Sequence, residues 1–396
     1  MTTKIWDVVE FVKKHRSKLV AGASVLGGVY VLKKVVESDA MASLAHSAAN
    51  GFIKNEENNA SITFAGIESS NMNQARKNFL FDAHQQSCDK VLQQVIAEIQ
   101  QTIQQRFDAE SVVQKLKQNE GMNAKQKIHL WEELKIKAFG RILAVAYCYP
   151  LLVIAFKVQK SILCQESCRN IELKTKQQNE STISGMYSYA SSFFWNKQEN
   201  INHNQSTSTD PQTQQLFSNC INFLATEGIK ELCNRVERVT SEVISTASLA
   251  TEIDSQLLFQ KAMSKMDQMT GNQNFSEFVV PCSGPVVSSL AHNSSHLQSL
   301  LKQFLQSLQS IMCKTLLTSF VKLYVDEALS VLNTSENKNL PLAKLIPIAS
   351  ETFGLISGCK TDTPFRQILI SSELYQFSHL VFDVSSASGQ EAINFV

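Results

Sequence analysis

His292 and His296 stand four residues apart, a spacing that puts two imidazoles on one face of a helix. Such a pair begins a metal site, but no Asp, Glu or Cys lies at a recognisable ligand spacing from it, and a surface pair is the simpler reading. Cys164 and Cys168 repeat the spacing; they lack the Cys-x-x-Cys register of a redox centre and read as core residues. Gly22 and Gly27-Gly28 lead to no Lys-Ser/Thr and sit in an apolar run, so they form no phosphate loop. No local grouping of Ser, His and Asp marks a nucleophile, although triads assemble in space. No catalytic residue, metal or cofactor is expected.

Recognition chemistry is better represented. Trp131 is surrounded by Lys127, Glu132, Glu133, Lys135 and Lys137. On a helix, Ile128, Trp131, Leu134 or Lys135, and Ala138 run along one edge, so the indole sits beside lysine stems. A tryptophan with apolar neighbours and a charged rim is a common composition for a groove that receives a partner helix. A plain core tryptophan is the competing reading.

The element that carries Trp131 is legible. Asn123 and Gln126 have the spacing of a capping box, which predicts a helix starting there. Its periodicity continues into fifteen uncharged residues between Arg141 and Lys157. That length approaches a membrane span, but Pro150 and two tyrosines favour a central core helix. Upstream, Val91, Leu92, Val95, Ile96, Ile99 and Ile103 recur three and four apart and define one apolar helix face. Downstream, the same periodicity runs through Ile229, Leu232, Val236, Val239 and Val243, and again from Leu297 to Met312. The predicted class is all-α: an elongated helical bundle with long helices, preceded by a single N-terminal transmembrane helix. A Gln-, Asn-, Ser- and Thr-rich stretch over 175–210 reads as a mobile polar loop, with an aromatic island from Met186 to Trp195 that docks on the core.

The N-terminal region is distinct. Leu19 to Leu32 is fourteen residues without a charge, flanked by Lys18 and by Lys33 and Lys34. A hydrocarbon core of about 30 Å needs roughly 20 helical residues. Residues 17–36 reach that length if the flanking lysines carry their ammonium groups to the headgroups. A single-span anchor is expected there, after a short tail at 1–16 and before a domain at 37–396. A signal peptide and a soluble helix are the alternatives, and the two lysines after Leu32 argue against a cleavage site. Ala23 with Gly27, and Ser24 with Gly28, are spaced for helix pairing in lipid.

The net charge is +1, and basic and acidic residues are interspersed, so no broad footprint for nucleic acid exists. Nine scattered cysteines outline no disulfide framework and suit a reducing compartment.

Ordered blocks along nearly the whole chain resemble the peroxin-3 (peroxisomal biogenesis factor 3) family. They are Leu26-Gly-Gly-Val-Tyr30; Ala75-Arg-Lys with Phe81 and Gln86-Ser-Cys88; Trp131-Glu-Glu-Leu-Lys-Ile136 with Arg141; Pro211 with Gln214-Gln215; and Leu340-Pro-Leu-Ala-Lys-Leu-Ile-Pro-Ile348. The resemblance implies a non-enzymatic receptor of the peroxisomal membrane with a matrix tail, one span and a large cytosolic helical domain. It docks peroxin-19, the chaperone of newly made peroxisomal membrane proteins, through an amphipathic N-terminal helix of that partner. The positions matching the family groove are Trp131, Lys127, Leu134 and Lys135, with Leu116 and Lys117 across from them. The positive-inside rule alone would put the N-terminus in the cytosol, opposite to the orientation the resemblance implies. A membrane-tethered enzyme and a structural peroxisome tether are the rival readings of function.

Overall fold

The computed structural model describes residues 61–118, 123–178, 211–245, 247–271, 275–280, 295–333, 340–359 and 362–383. Ala75–Thr182 with Ile201–Val396 forms one compact unit; the other, Met1–Gln74 with Ile183–Asn200, is described only through the opening turns of the first helix. The expected tail at 1–16, the anchor at 17–36 and the polar stretch over 179–210 lie outside the described residues.

Everything regular among the described residues is helical, and the one β-bridge is an isolated pairing of Glu252 with Pro341. The helices are α1 (Ser61–Arg106), α2 (Ala109–Gln118), α3 (Ala124–Gln178), α4 (Pro211–Phe223), α5 (Ile229–Ile244), α6 (Ser255–Thr270), α7 (Ser295–Gln309), α8 (Ile311–Leu332), α9 (Leu342–Ile356), α10 (Pro364–Leu369) and α11 (Ser372–Asp383). A π-helical turn, Leu224–Gly228, joins α4 to α5, and a 3-10 turn, Ser276–Phe278, follows α6.

The central element is α3. Every residue from 138 to 159 is buried, a pattern reserved for a helix enclosed on all faces. The enclosing layer is α2, α4, α5, α7, α8, α9, α10 and α11, each packed on α3. The 47 residues Ala124–Asn170 are long and apolar enough to cross a membrane, yet their apolar window is wholly covered by protein. This is the core helix expected from Pro150 and the tyrosines. The helix runs unbroken through Pro150, although an interior proline forfeits one hydrogen bond and costs about 3 kcal/mol. Its C-terminal turns take in Thr175–Gln178, the first residues of the polar stretch.

An enclosed helix needs its register fixed, and α3 does this with a few polar side chains that reach backbone carbonyls of its neighbours. Tyr149 donates to the Ser357 carbonyl (3.2 Å), Gln159 to Phe217 (2.7 Å), Gln165 to Phe382 (2.5 Å) and Lys157 to Gln85 (3.2 Å). Ser357 and Phe382 lie at helix C-termini, where carbonyls have no intrahelical partner. Lys157 also pairs with Asp89 at 2.6 Å, which compensates its burial and ties α1 to α3.

On α1 the buried stripe is Phe81, Cys88, Leu92, Ile96, Ile99 and Ile103, while Val91 is exposed and Val95 half-buried at its edge. The run from Leu297 to Met312 is two helices. Ser310 adopts an extended backbone (ψ 151°), and its hydroxyl accepts from the Cys313 N–H, which ends α7 and restarts the chain as α8 with Ile311 exposed. Cys164 and Cys168 are buried free thiols, as expected.

Candidate partner-binding site

The Trp131 turn is built by local chemistry. The Asn123 side chain accepts from the Lys125 N–H (3.2 Å), and the Gln126 side chain accepts from the Asn123 N–H (3.3 Å), the reciprocal capping box read in the sequence. One helix back, the Asp108 carboxylate caps α2 by accepting from the Ser111 N–H (2.9 Å), which holds its carboxyl below the ordinary range.

Residues 123–129 are exposed, Trp131 is partly exposed, and Leu134 and Lys135 are buried. The indole therefore sits where α3 passes from solvent into the core. One turn earlier, Ile128 is 59% exposed, a large aliphatic side chain left in water. The helix α2 lies against α3, tied there by Glu110 and Arg141 (2.8 Å). Its C-terminus leads back toward the start of α3, so the two run antiparallel. Leu116 is six residues beyond Glu110, or roughly 9 Å along the axis. It comes level with α3 near Lys135, within about a turn of Trp131. Leu116 is half-buried and Lys117 exposed.

The six expected site residues thus divide. Trp131, Leu116, Lys117 and Lys127 offer surface at this end of α2 and α3, while Leu134 and Lys135 lie beneath it. Lys135 is 0% exposed, so it does not stand at a rim as a steering lysine. Its ammonium donates to the Ala247 carbonyl (2.9 Å) and pairs with Glu132 (2.5 Å).

The local charge is asymmetric. Glu110, Glu132 and Glu133 are each paired, with Arg141, Lys135 and Lys137. Lys115, Lys117, Lys125 and Lys127 are exposed, and among the described residues none of them forms an ion pair. Ile128 and Trp131 on α3 and the half-buried Leu116 on α2 thus share this end of the two helices with four exposed lysines, of which Lys115 lies within electrostatic reach of Asp108. Sequence reasoning missed Glu110, whose partner lies 31 residues away, and the loop at Ala247, 112 residues from Lys135. No local pattern announces either contact.

A cavity of about 20 Å³ lies apart from this surface, lined by Tyr147, Asp267, Phe275, Lys314, Leu317 and Val321. It holds about one water-sized guest. Burial raises the Asp267 carboxyl above its ordinary range, with Lys314 opposing the shift. Among the described residues no group of three or more His, Cys, Asp or Glu could hold a metal ion.

The family model for peroxin-3 matches residues 42–383, across α1 to α11. The chain belongs to the peroxin-3 family. It is 21% identical to the mouse protein named peroxisomal biogenesis factor 3, over 98% of this chain and 99% of the mouse one. It is 22% identical to peroxisome biogenesis protein 3-2 of Arabidopsis thaliana, over 91% of this chain and 93% of the plant one. Animal and plant relatives both align over nearly their whole lengths, so the likeness extends well beyond the Trp131 helix. Membership assigns the chain a role in peroxisome biogenesis.

Proposed function

We propose that this peroxin-3 family member is a receptor of the peroxisomal membrane that docks peroxin-19, with its membrane-protein cargo, at the exposed end of α2 and α3. Residues 17–36 anchor it by one span, with 1–16 in the matrix and the domain from 37 onward in the cytosol. The observation that carries the reading is the half-buried Trp131 beside exposed Ile128, with exposed Lys115, Lys117, Lys125 and Lys127 at the same end of α2 and α3 and with Glu110, Glu132 and Glu133 each held in an ion pair. An amphipathic helix with apolar residues on one face and acidic ones at its borders complements this surface. The lysines steer its approach, and the indole supplies the desolvated centre.

The test is calorimetry with an N-terminal peroxin-19 peptide. Truncating a central interface tryptophan costs about 2 kcal/mol or more, so Trp131→Ala should weaken binding roughly thirtyfold while the circular dichroism spectrum is kept. Lys117→Ala with Lys127→Ala should slow association and reduce its salt dependence. A folded Trp131→Ala variant that binds like the wild type would remove this surface from the function.

A further inference from the structure

Lys135 sits four residues after Trp131, on the same face of α3 and one turn deeper. A lysine at the border of a cationic surface invites a role as one more steering charge, and its burial excludes that. The side chain has no exposed surface, and its ammonium is held between the Glu132 carboxylate and the Ala247 carbonyl. Ala247 belongs to the connection between α5 and α6. That connection is itself fastened to α9: the Ala343 N–H donates to the Leu249 carbonyl (3.0 Å), the Leu342 N–H donates to the Thr251 carbonyl (3.1 Å), and Glu252 bridges to Pro341. These contacts satisfy the first amides of α9, which have no partner within their own helix. A chain of polar contacts therefore runs from the Trp131 turn through one ammonium group to the start of α9. A few turns deeper, Arg141 donates to the Ser350 carbonyl at 3.1 Å, so α9 holds α3 at a second point.

We propose that Lys135 is a positioning residue for partner binding: it never touches the partner, and it fixes the rotational setting of the Trp131 turn by clamping α3 to the α5–α6 connection. The inference rests on the docking reading above. A receptor surface held in its binding geometry loses less ordering entropy when the partner arrives, and the clamp supplies that preorganisation. The same contact keeps the Glu132 carboxylate neutralised, so an acidic partner helix meets no opposing charge there.

The experiment uses the full-length chain in detergent micelles and the N-terminal peroxin-19 peptide. Lys135→Met should weaken binding about tenfold, and 500 mM salt should recover only the part of that loss that comes from the uncovered Glu132 carboxylate, most of the loss remaining. In the Trp131→Ala background it should add little further loss, since the clamp acts through the indole. Amide hydrogen exchange should quicken over 131–135 and 247–251 and stay unchanged in α8. The double variant Glu132→Gln with Lys135→Met removes both charges and should remain weakened. A double variant restored to wild-type affinity, or a loss that vanishes in high salt, overturns the proposal, because either makes Lys135 a charge effect alone. If Lys135→Met does not fold, Lys135→Gln, which keeps an N–H for the Ala247 carbonyl, takes its place with a smaller loss expected and the same outcomes deciding. If Trp131→Ala itself leaves binding unchanged, the docking reading fails, and that result is distinct from a failure of the clamp.

Discussion

At the scale of single residues, burial beside an ammonium group makes His84 a pH liability. Its imidazole is buried in α1 beside Lys160, and desolvation, with the nearby ammonium, pushes its pKa down to about 4. The unfolded chain binds that proton near the ordinary value of about 6.5. Between these values protons favour the unfolded state, so the full stability is present above about pH 6.5 and declines as the pH falls toward 4. At pH 5 the loss relative to pH 8 is on the order of 2 kcal/mol. Urea unfolding at both pH values should show it, and His84→Gln should lose correspondingly less on acidification; an equal drop in both proteins would acquit His84. Residue-scale features differ in how far sequence exposes them. The Asn123–Gln126 cap is legible because both partners lie within one turn. The burial of Lys135 is not, because the carbonyl that accepts its hydrogen bond comes from a connection 112 residues away.

At the scale of elements, the packing of α3 against the turn that follows α1 depends on a missing side chain. A Cβ at Gly140 would meet the Phe107 ring at 2.6 Å, and that ring is fully buried at the end of α1. Gly140→Ala should therefore destabilise the protein by about 1–3 kcal/mol, as overpacking of a close contact does. Denaturant midpoints for the variant and the wild type check this. The turn between α7 and α8 is set differently. Ser310→Ala removes the acceptor for the Cys313 N–H and should cost about 1 kcal/mol, without change in helix content. The apolar repeat across 297–312 reads as one helix because periodicity registers the buried face and ignores a single capping residue. Element existence was legible here, and the break was not.

At the scale of the whole molecule, the all-helical class and the enclosed core helix were legible, since Pro150 and the tyrosines distinguish α3 from a span. The surface around Trp131 was only half legible, because which of four neighbouring residues faces water depends on α2 and on the α5–α6 connection. Thiol chemistry offers a global readout. Cys88, Cys148, Cys164, Cys168, Cys220, Cys233 and Cys313 are buried free thiols, whereas Cys359 is exposed. Burial pushes the Cys220 and Cys313 thiols up to about 12, which suppresses the reactive thiolate. Alkylation of the native protein at pH 8 should thus modify Cys359 while sparing these seven, which should react together only on global unfolding. Peptide mass mapping reads the order, and early loss of any of the seven would show local opening around α3.

The enclosure of α3 also sets a schedule for the newborn chain. The helices α8, α9 and α11 that cover it lie far downstream, and α11 ends only at Asp383. Translation at about 5–20 residues per second separates residue 159 from residue 383 by roughly 10–45 s. Throughout that interval a lipophilic rod with mean hydropathy 1.8 is available to any bilayer or chaperone that selects for membrane spans. A core helix in the finished molecule is thus a decoy topogenic signal during its synthesis, and correct biogenesis is a race between self-burial and misinsertion.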